Sequence, residues 1–240
     1  MRINKGYTLA EVLITLSIIG VVATMTIPTL NVNVQKAQAG PSVMKALNTL
    51  QNALSLGMTQ KGLRNLNSFE MTKLVFDKYE DKNNPGKKIE GPLYSTLNNF
   101  DAKNETVQYY NYDNTSLDSL SSAIRIYTTK DGIDFILPNK GENAVDEVSS
   151  DKDNGKQGFV VYIDVNGYSK APNKLGKDTF KFIVSTRGFV IPYGGYEYSK
   201  NFTEDTTPLW EDNCNSKEIV DGETCTGSIV DNGGKVVYKY

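Results

Sequence analysis

Residues 5–28 read KGYTLAEVLITLSIIGVVATMTIP, and how this stretch is read decides the architecture. From Tyr7 to Leu30 the chain holds 24 residues with Glu11 as the only charge. As a helix they measure about 36 Å, against a bilayer hydrocarbon core of about 30 Å. Arg2 and Lys5 precede the run, and the next charge after Glu11 is Lys36. The positive-inside rule therefore keeps the short N-terminus cytoplasmic and sends the bulk of the chain across the membrane.

Two ordinary readings compete. A secretory signal peptide carries an apolar region of about 7 to 15 residues and a small-residue cleavage site. Ala37-Gln38-Ala39 before Gly40 offers such a site, but the apolar run is too long and Glu11 sits badly inside it. A plain signal anchor fits the length and leaves Glu11 without a role, unless its carboxylate snorkels to the headgroups beside the helix N-terminus. A sharper reading joins Gly6, Tyr7 and Glu11. A cut after Gly6 would create a new α-amine on Tyr7, four residues or about 6 Å of helix rise before the glutamate. When identical helices bundle with a stagger of about one turn, the amine of one chain meets the Glu11 carboxylate of another, and a costly intramembrane charge becomes a register pin.

At these residues the chain resembles the type IV pilins and type II secretion pseudopilins. The leader ending in Gly6, followed by Tyr7-Thr8-Leu9-Ala10-Glu11-Val12-Leu13-Ile14, is similar to their prepilin cleavage and methylation motif. The resemblance implies that Gly6 is the cleavage residue, Tyr7 the methylated N-terminus and Glu11 the residue that guides subunit addition. Gly20 and Pro28 fall where pilins often carry a glycine and a helix-kinking proline. Tyr7 stands where phenylalanine is usual, so the aromatic character is kept. The implied partners are identical and related pilin subunits, a prepilin peptidase that is also the N-methyltransferase, an inner-membrane assembly platform and the membrane itself. The implied location is a single-pass cytoplasmic-membrane protein before assembly and an extracytoplasmic filament afterwards. Loss of the leader, with Arg2 and Lys5, takes the formal charge from −2 to −4.

Composition agrees with an interaction protein. With 240 residues, the chain can bury one modest core beside the anchor. A charge of −2 supplies no positive field for generic nucleic-acid binding, so no specific nucleic-acid partner is expected. There is no histidine, which removes the serine and cysteine triads and imidazole acid–base chemistry. No paired-carboxylate motif supports a hydrolase, and the expectation is a chain that is not an enzyme. Cys214 and Cys225 close a twelve-residue loop rich in Asn, Asp, Gly and Lys, a setting that suits a disulfide outside the cytosol; two free thiols are the alternative.

The expected organisation is a leader at 1–6, a membrane and filament-core helix at 7–30, an amphipathic stem at 31–60 and an extracytoplasmic α+β domain at 61–240. In the stem, Val43, Ala46, Leu47, Leu50, Ala53, Leu54 and Met58 recur at helical spacing and predict one face packed on the domain. Pro28 and Gly40-Pro41 predict kinks or local unwinding. Residues 59 to 122 are hard to read, with short helical or irregular pieces expected around Phe69 to Tyr79. From Ile124 the pattern turns to period two. Ile124-Ile126 and Ile133-Phe135-Leu137 flank Lys130-Asp131-Gly132 as a hairpin, with further apolar runs at 159–165, 180–184 and 189–191. A helix followed by four or five antiparallel strands is an α+β layout. It is also the layout that the pilin resemblance implies, a long helix on a small sheet closed by a C-terminal loop carrying a cystine.

One loop invites a ligand. Asp164-Val165-Asn166-Gly167 followed by Asp178 places oxygen donors around a sharp turn, as a calcium ion requires, although position twelve from Asp164 is Leu175 rather than an EF-hand glutamate. Some pseudopilins bind calcium in a sheet-side loop. Asp164, Asn166 and Asp178 are thus candidate calcium ligands, and no cofactor other than calcium is expected. The competing reading makes Asn166-Gly167 a tight turn whose side-chain oxygens accept local amides. A permanently anchored, calcium-dependent binding module is the functional alternative. The tyrosines at 193, 196, 198, 238 and 240 read as half-buried sheet-edge residues, and Lys235 and Lys239 are too few for DNA capture.

Overall fold

The fold is that of a computed structural model, which describes residues 7–66, 75–80, 84–97, 107–117, 120, 124–138, 147–149, 157–203, 206–215 and 218–240. Arg2, Lys5 and Gly6 lie outside the described residues.

Helix α1 (Leu9–Lys61) is 53 residues long and ends at Gly62, whose left-handed φ of 62° closes the last turn. Its two halves differ in what they touch. Val43, Ala46, Leu50, Ala53 and Leu54 are buried, Leu47 and Met58 pack beside them, and Lys45, Asn48 and Asn52 face outward, so the predicted stripe holds. The expectation of unwinding at the prolines does not hold. Pro28 and Pro41 both lie inside α1, and the helix continues through them. Each removes only one ladder donor, and the intact turns on either side carry the helix across the gap.

Among the described residues eight strands follow. A small antiparallel hairpin pairs β1 (Lys78–Glu80) with β2 (Lys88–Glu90), in a region whose sequence suggested short helical or irregular pieces. The main sheet has six antiparallel strands: β3 (Ile124–Thr128), β4 (Asp134–Pro138), β6 (Gln157–Asp164), β7 (Thr179–Ser185) and β8 (Val190–Pro192) in that order, with β5 (Glu147–Ser149) also on β6. The expected hairpin is β3–β4, with Ile126 opposite Ile136. Three short helices close the fold, α2 (Tyr196–Phe202), α3 (Trp210–Asn213) and α4 (Cys225–Asp231).

Both faces of the sheet are covered. One presents Phe135, Phe159, Val161, Phe180 and Phe182 to α1 and to Ile229 of α4. The other presents Ile136, Val160, Tyr162 and Ile183 to Tyr109, Leu120 and Tyr198 and Phe202 of α2. Burial on both sides explains why β6 and β7 read as near-continuous apolar runs instead of alternating. Each large side chain fully withdrawn from water contributes about 1.5–3 kcal/mol, so this double layer carries the stability of the domain.

The β8 edge is sealed by α1. Gln51 donates from Nε2 to the Gly188 carbonyl at 3.0 Å and accepts the Val190 amide at Oε1 at 2.8 Å, standing where a further strand would pair. Pro192 removes another edge donor. Replacing Gln51 by leucine strands the amide of the buried Val190 and the Gly188 carbonyl, at about 1–3 kcal/mol for each group. Thermal unfolding of the detergent-solubilised chain is expected to fall by roughly 5–15 °C for Gln51→Leu. An unchanged midpoint would refute the edge role.

Candidate functional site

Two places gather the residues that the sequence singled out. The first is the start of α1. Thr8 is the N-cap: its hydroxyl accepts the Glu11 amide at 3.3 Å, while Glu11 Oε2 accepts both the Thr8 amide and the Thr8 hydroxyl at 2.8 Å. This reciprocal capping box satisfies donors that a helix start leaves open. It also gives the glutamate two hydrogen bonds at the positive end of the helix dipole, the least costly position for an anion in an apolar stretch. Both donors use Oε2, and Glu11 as a whole is exposed. The sequence reading placed Glu11 but missed Thr8, although Thr8-Leu9-Ala10-Glu11 is the T-x-x-E pattern of such a box.

Beyond the cap, α1 is apolar on every side and stands clear of the domain. Leu13, Ile14, Leu16, Ile18, Ile19, Val21, Val22, Met25 and Ile27 are all exposed, and among the described residues the first buried one is Ala39. The helix is long and apolar enough to cross a membrane, and none of its most apolar 18-residue window is buried. A helix that is hydrophobic all round belongs in lipid or in a bundle of its own kind.

The family comparison falls on this segment. Residues 1–27 match the prokaryotic N-terminal methylation motif. That motif is the prepilin signature of type IV pilins and pseudopilins, so the resemblance first met at Gly6, Tyr7 and Glu11 holds over the leader and most of the Tyr7–Leu30 apolar stretch. The long apolar helix and antiparallel sheet form an α+β architecture consistent with a pilin-like fold. No curated protein and no solved structure matches the chain.

The second place lies at the far end of β4 and β6. Asp134 and Asp164 are directly opposed across the two strands, and Asp178 precedes Thr179, the β7 partner of Asp164. All three aspartates are buried. Asp164 Oδ1 accepts the Asn166 and Gly167 amides at 3.1 and 2.9 Å, and Gly167 takes a φ of +87°. Asp178 accepts the Asn173 and Lys174 amides at 2.9 and 2.6 Å, and Asp134 accepts the Tyr168 amide at 2.7 Å. The turn reading of Asn166-Gly167 is thus what the structure shows. Asp164, Asn166 and Asp178 are brought together, with the Asn166 side-chain amide 3.4 Å from Asp178 Oδ2. Among the described residues no three or more His, Cys, Asp or Glu side chains are arranged to hold a metal ion.

The electrostatics of this cluster favour a proton. Burial, then Asp178 and Asp134, push the Asp164 carboxyl up to about 8, and burial raises Asp178 as well. Among the described residues Asp164 Oδ2 has no hydrogen-bond partner, nor has the hydroxyl of the buried Tyr109, which burial and the same three carboxylates push far above its usual range. Asp134 was absent from the sequence reading, since only strand pairing brings it to Asp164.

Cys214 and Cys225 form a disulfide with Cα atoms 5.1 Å apart. It lies against the α1 core and not in an open loop, because Cys225 begins α4. Two of the tyrosines depart from the edge reading, while Tyr193 is half-buried at the end of β8 as expected. Tyr198 sits in α2, and Tyr238 is buried with its hydroxyl on the Gly176 carbonyl at 2.6 Å.

Proposed function

We propose that this chain is a structural subunit of a type IV pilus or of a related secretion pseudopilus, with no catalytic residues of its own. The membrane inserts Tyr7–Leu30, prepilin peptidase cuts after Gly6 and methylates Tyr7, and the assembly platform draws the subunit into a filament whose core is the bundled α1 helices. The observation that carries this reading is the exposed, all-round apolar first part of α1, nearly all of which the methylation motif covers. Such a surface is stable only in lipid or against identical helices. In the filament, Glu11 Oε1 takes the Tyr7 amine of a neighbour while Oε2 keeps the capping box. Charge neutralisation then rewards one register and penalises the others.

The competing cleavage site gains nothing from the fold. Ala37-Gln38-Ala39 lies in mid-helix, and Ala39 and Gly40 are buried against the domain. Intact mass and N-terminal peptide mapping of the protein from native membranes test the proposal. A chain beginning at methylated Tyr7 is expected. A start at Gly40 or an uncut Met1 would overturn it and favour the secreted or permanently anchored binding module.

A further inference from the structure

Gly234 lies against α1, its carbonyl so close to Gly40 that a Cβ there would meet it at 1.9 Å. Four residues on, the Tyr238 carbonyl accepts Lys36 Nζ at 3.2 Å. As the chain advances from 234 to 238 its partner on α1 recedes from 40 to 36. The segment therefore runs down the stem toward the apolar half of the helix. Tyr240 stays beside the same turns of α1, lining a cavity of about 80 Å³ with Gln35, Gln38, Ala39 and Ser42, and its hydroxyl donates to the Lys177 carbonyl at 2.7 Å. Lys36 lies six residues past Leu30, or about 9 Å along the axis. A bilayer adds about 5–7 Å of headgroup on each side of its hydrocarbon core, so Tyr238, at the foot of this segment, stands just outside the headgroups and Lys235 about 6 Å further out, both within a Debye length of about 8–10 Å.

The chemistry of that foot is unlike the rest of the chain. Residues 235–240 read KVVYKY, with no acid in a protein whose net charge is −2. Lys235 and Lys239 are exposed, and Val237, between them, is 48% exposed. The carbonyls are held from behind, Tyr238 by Lys36 and Lys239 by the Tyr112 hydroxyl, so the segment is fixed in place with its lysines free. Lysine at the edge of a bilayer places its aliphatic stem toward the acyl boundary and its ammonium among the headgroups, while Tyr238 and Tyr240 hold the segment to the domain through hydroxyls on the Gly176 and Lys177 carbonyls.

We propose that residues 235–240, braced by Lys36, form a docking surface for anionic lipid headgroups on the outer face of the membrane that Tyr7–Leu30 spans. The proposal rests on the membrane-anchored reading of α1. Docking holds the unassembled domain upright on the bilayer, with its sheet away from lipid, and it is released when the subunit is extracted into a filament.

Hydrogen exchange of the full chain in vesicles tests this. Two compositions are compared, phosphatidylcholine alone and phosphatidylcholine with one third phosphatidylglycerol. Each lysine near an anionic surface contributes about a five-fold factor, so exchange at 235–240 is expected to slow by roughly ten-fold or more with phosphatidylglycerol. The slowing should vanish at 0.5 M NaCl and in the double variant Lys235→Gln/Lys239→Gln, and persist in Lys235→Arg/Lys239→Arg. Equal exchange in both vesicles, or slowing that survives the glutamine variant, overturns the docking surface. Residues 9–30 report separately on the anchor: rapid exchange there in both vesicles would overturn the spanning reading, and the proposal with it.

Discussion

Gly40→Ala is expected to lower the unfolding midpoint of the domain by roughly 5–15 °C, although the substitution improves helix propensity by about 1 kcal/mol. The reason is the crossing of α1 with the segment at 234. A Cβ on Gly40 would lie 1.9 Å from the Gly234 oxygen and 2.8 Å from its carbonyl carbon. The obstacle is backbone, and it cannot swing aside as a side chain would. Gly234 has a φ of +84°, and a Cβ built on it would be 3.0 Å from Met44 Cγ, so the turn has little room to retreat along the helix. Moving it draws Tyr238 out of the core, where it is 3% exposed and bonded to Gly176. Overpacking of this kind costs about 1–3 kcal/mol, and the loss of Tyr238 packing adds to it. Differential scanning calorimetry in detergent should show the drop. Gly20→Ala, with nothing within 4 Å, should leave the domain midpoint unchanged and serves as the control. A Gly40→Ala protein as stable as the parent would mean that helix and segment are not in contact.

That crossing shows which parts of the fold could be read from the sequence. The stem stripe from Val43 to Met58 and the β3–β4 hairpin are local, periodic patterns, and both form as expected. The second layer on the sheet is a different case. Tyr109 and Leu120 come from a stretch with no period, and they are buried because β4, β6 and β7 need a cover on that face. Helix α4 was unreadable for another reason. Its Cys-Thr-Gly-Ser-Ile-Val-Asp sequence is composed of poor helix formers and suits a loop. Tertiary contacts override that preference. Thr226 accepts the Lys181 amide from β7, Ile229 is fully buried, and Gly227 allows the backbone of Gly195 to approach within contact distance.

At the two places that the sequence singled out the same division holds. Glu11 was legible because an acid in an apolar run is an anomaly that sequence alone displays. Thr8 was legible in principle, as part of a four-residue pattern, but the weight given to the glutamate hid its partner. Asp164 and Asp178 were visible as a loop of oxygen donors. Asp134, 30 residues upstream of Asp164, comes to them only through strand register, and with it the balance between a cation and a proton changes.

The pH dependence of stability follows from that change. The Asp164 carboxyl is raised to about 8 in the folded protein, from 3.8 when free, and Asp178 is raised in the same direction. The folded state therefore holds a proton that the unfolded chain releases near pH 4. Stability from this group is fully present below about pH 4 and is lost as pH rises through about 8, by at most about 1.4 kcal/mol per pH unit. The groups facing Asp164 are Asp134 on β4, Asp178 before β7, and Tyr109, whose hydroxyl stays neutral across this range. Thermal midpoints are accordingly expected to fall between pH 5 and pH 9. Asp164→Asn should flatten that fall and exceed the parent in stability at pH 9. The asparagine carbonyl can still accept the Asn166 and Gly167 amides, while its NH2 replaces the protonated oxygen without carrying charge. Calcium at 1 mM provides the opposing test at pH 9. If it restores the parent to its pH 5 midpoint and leaves Asp164→Asn unaffected, the aspartates hold a cation; if the midpoint does not move, the cluster is held together by its proton.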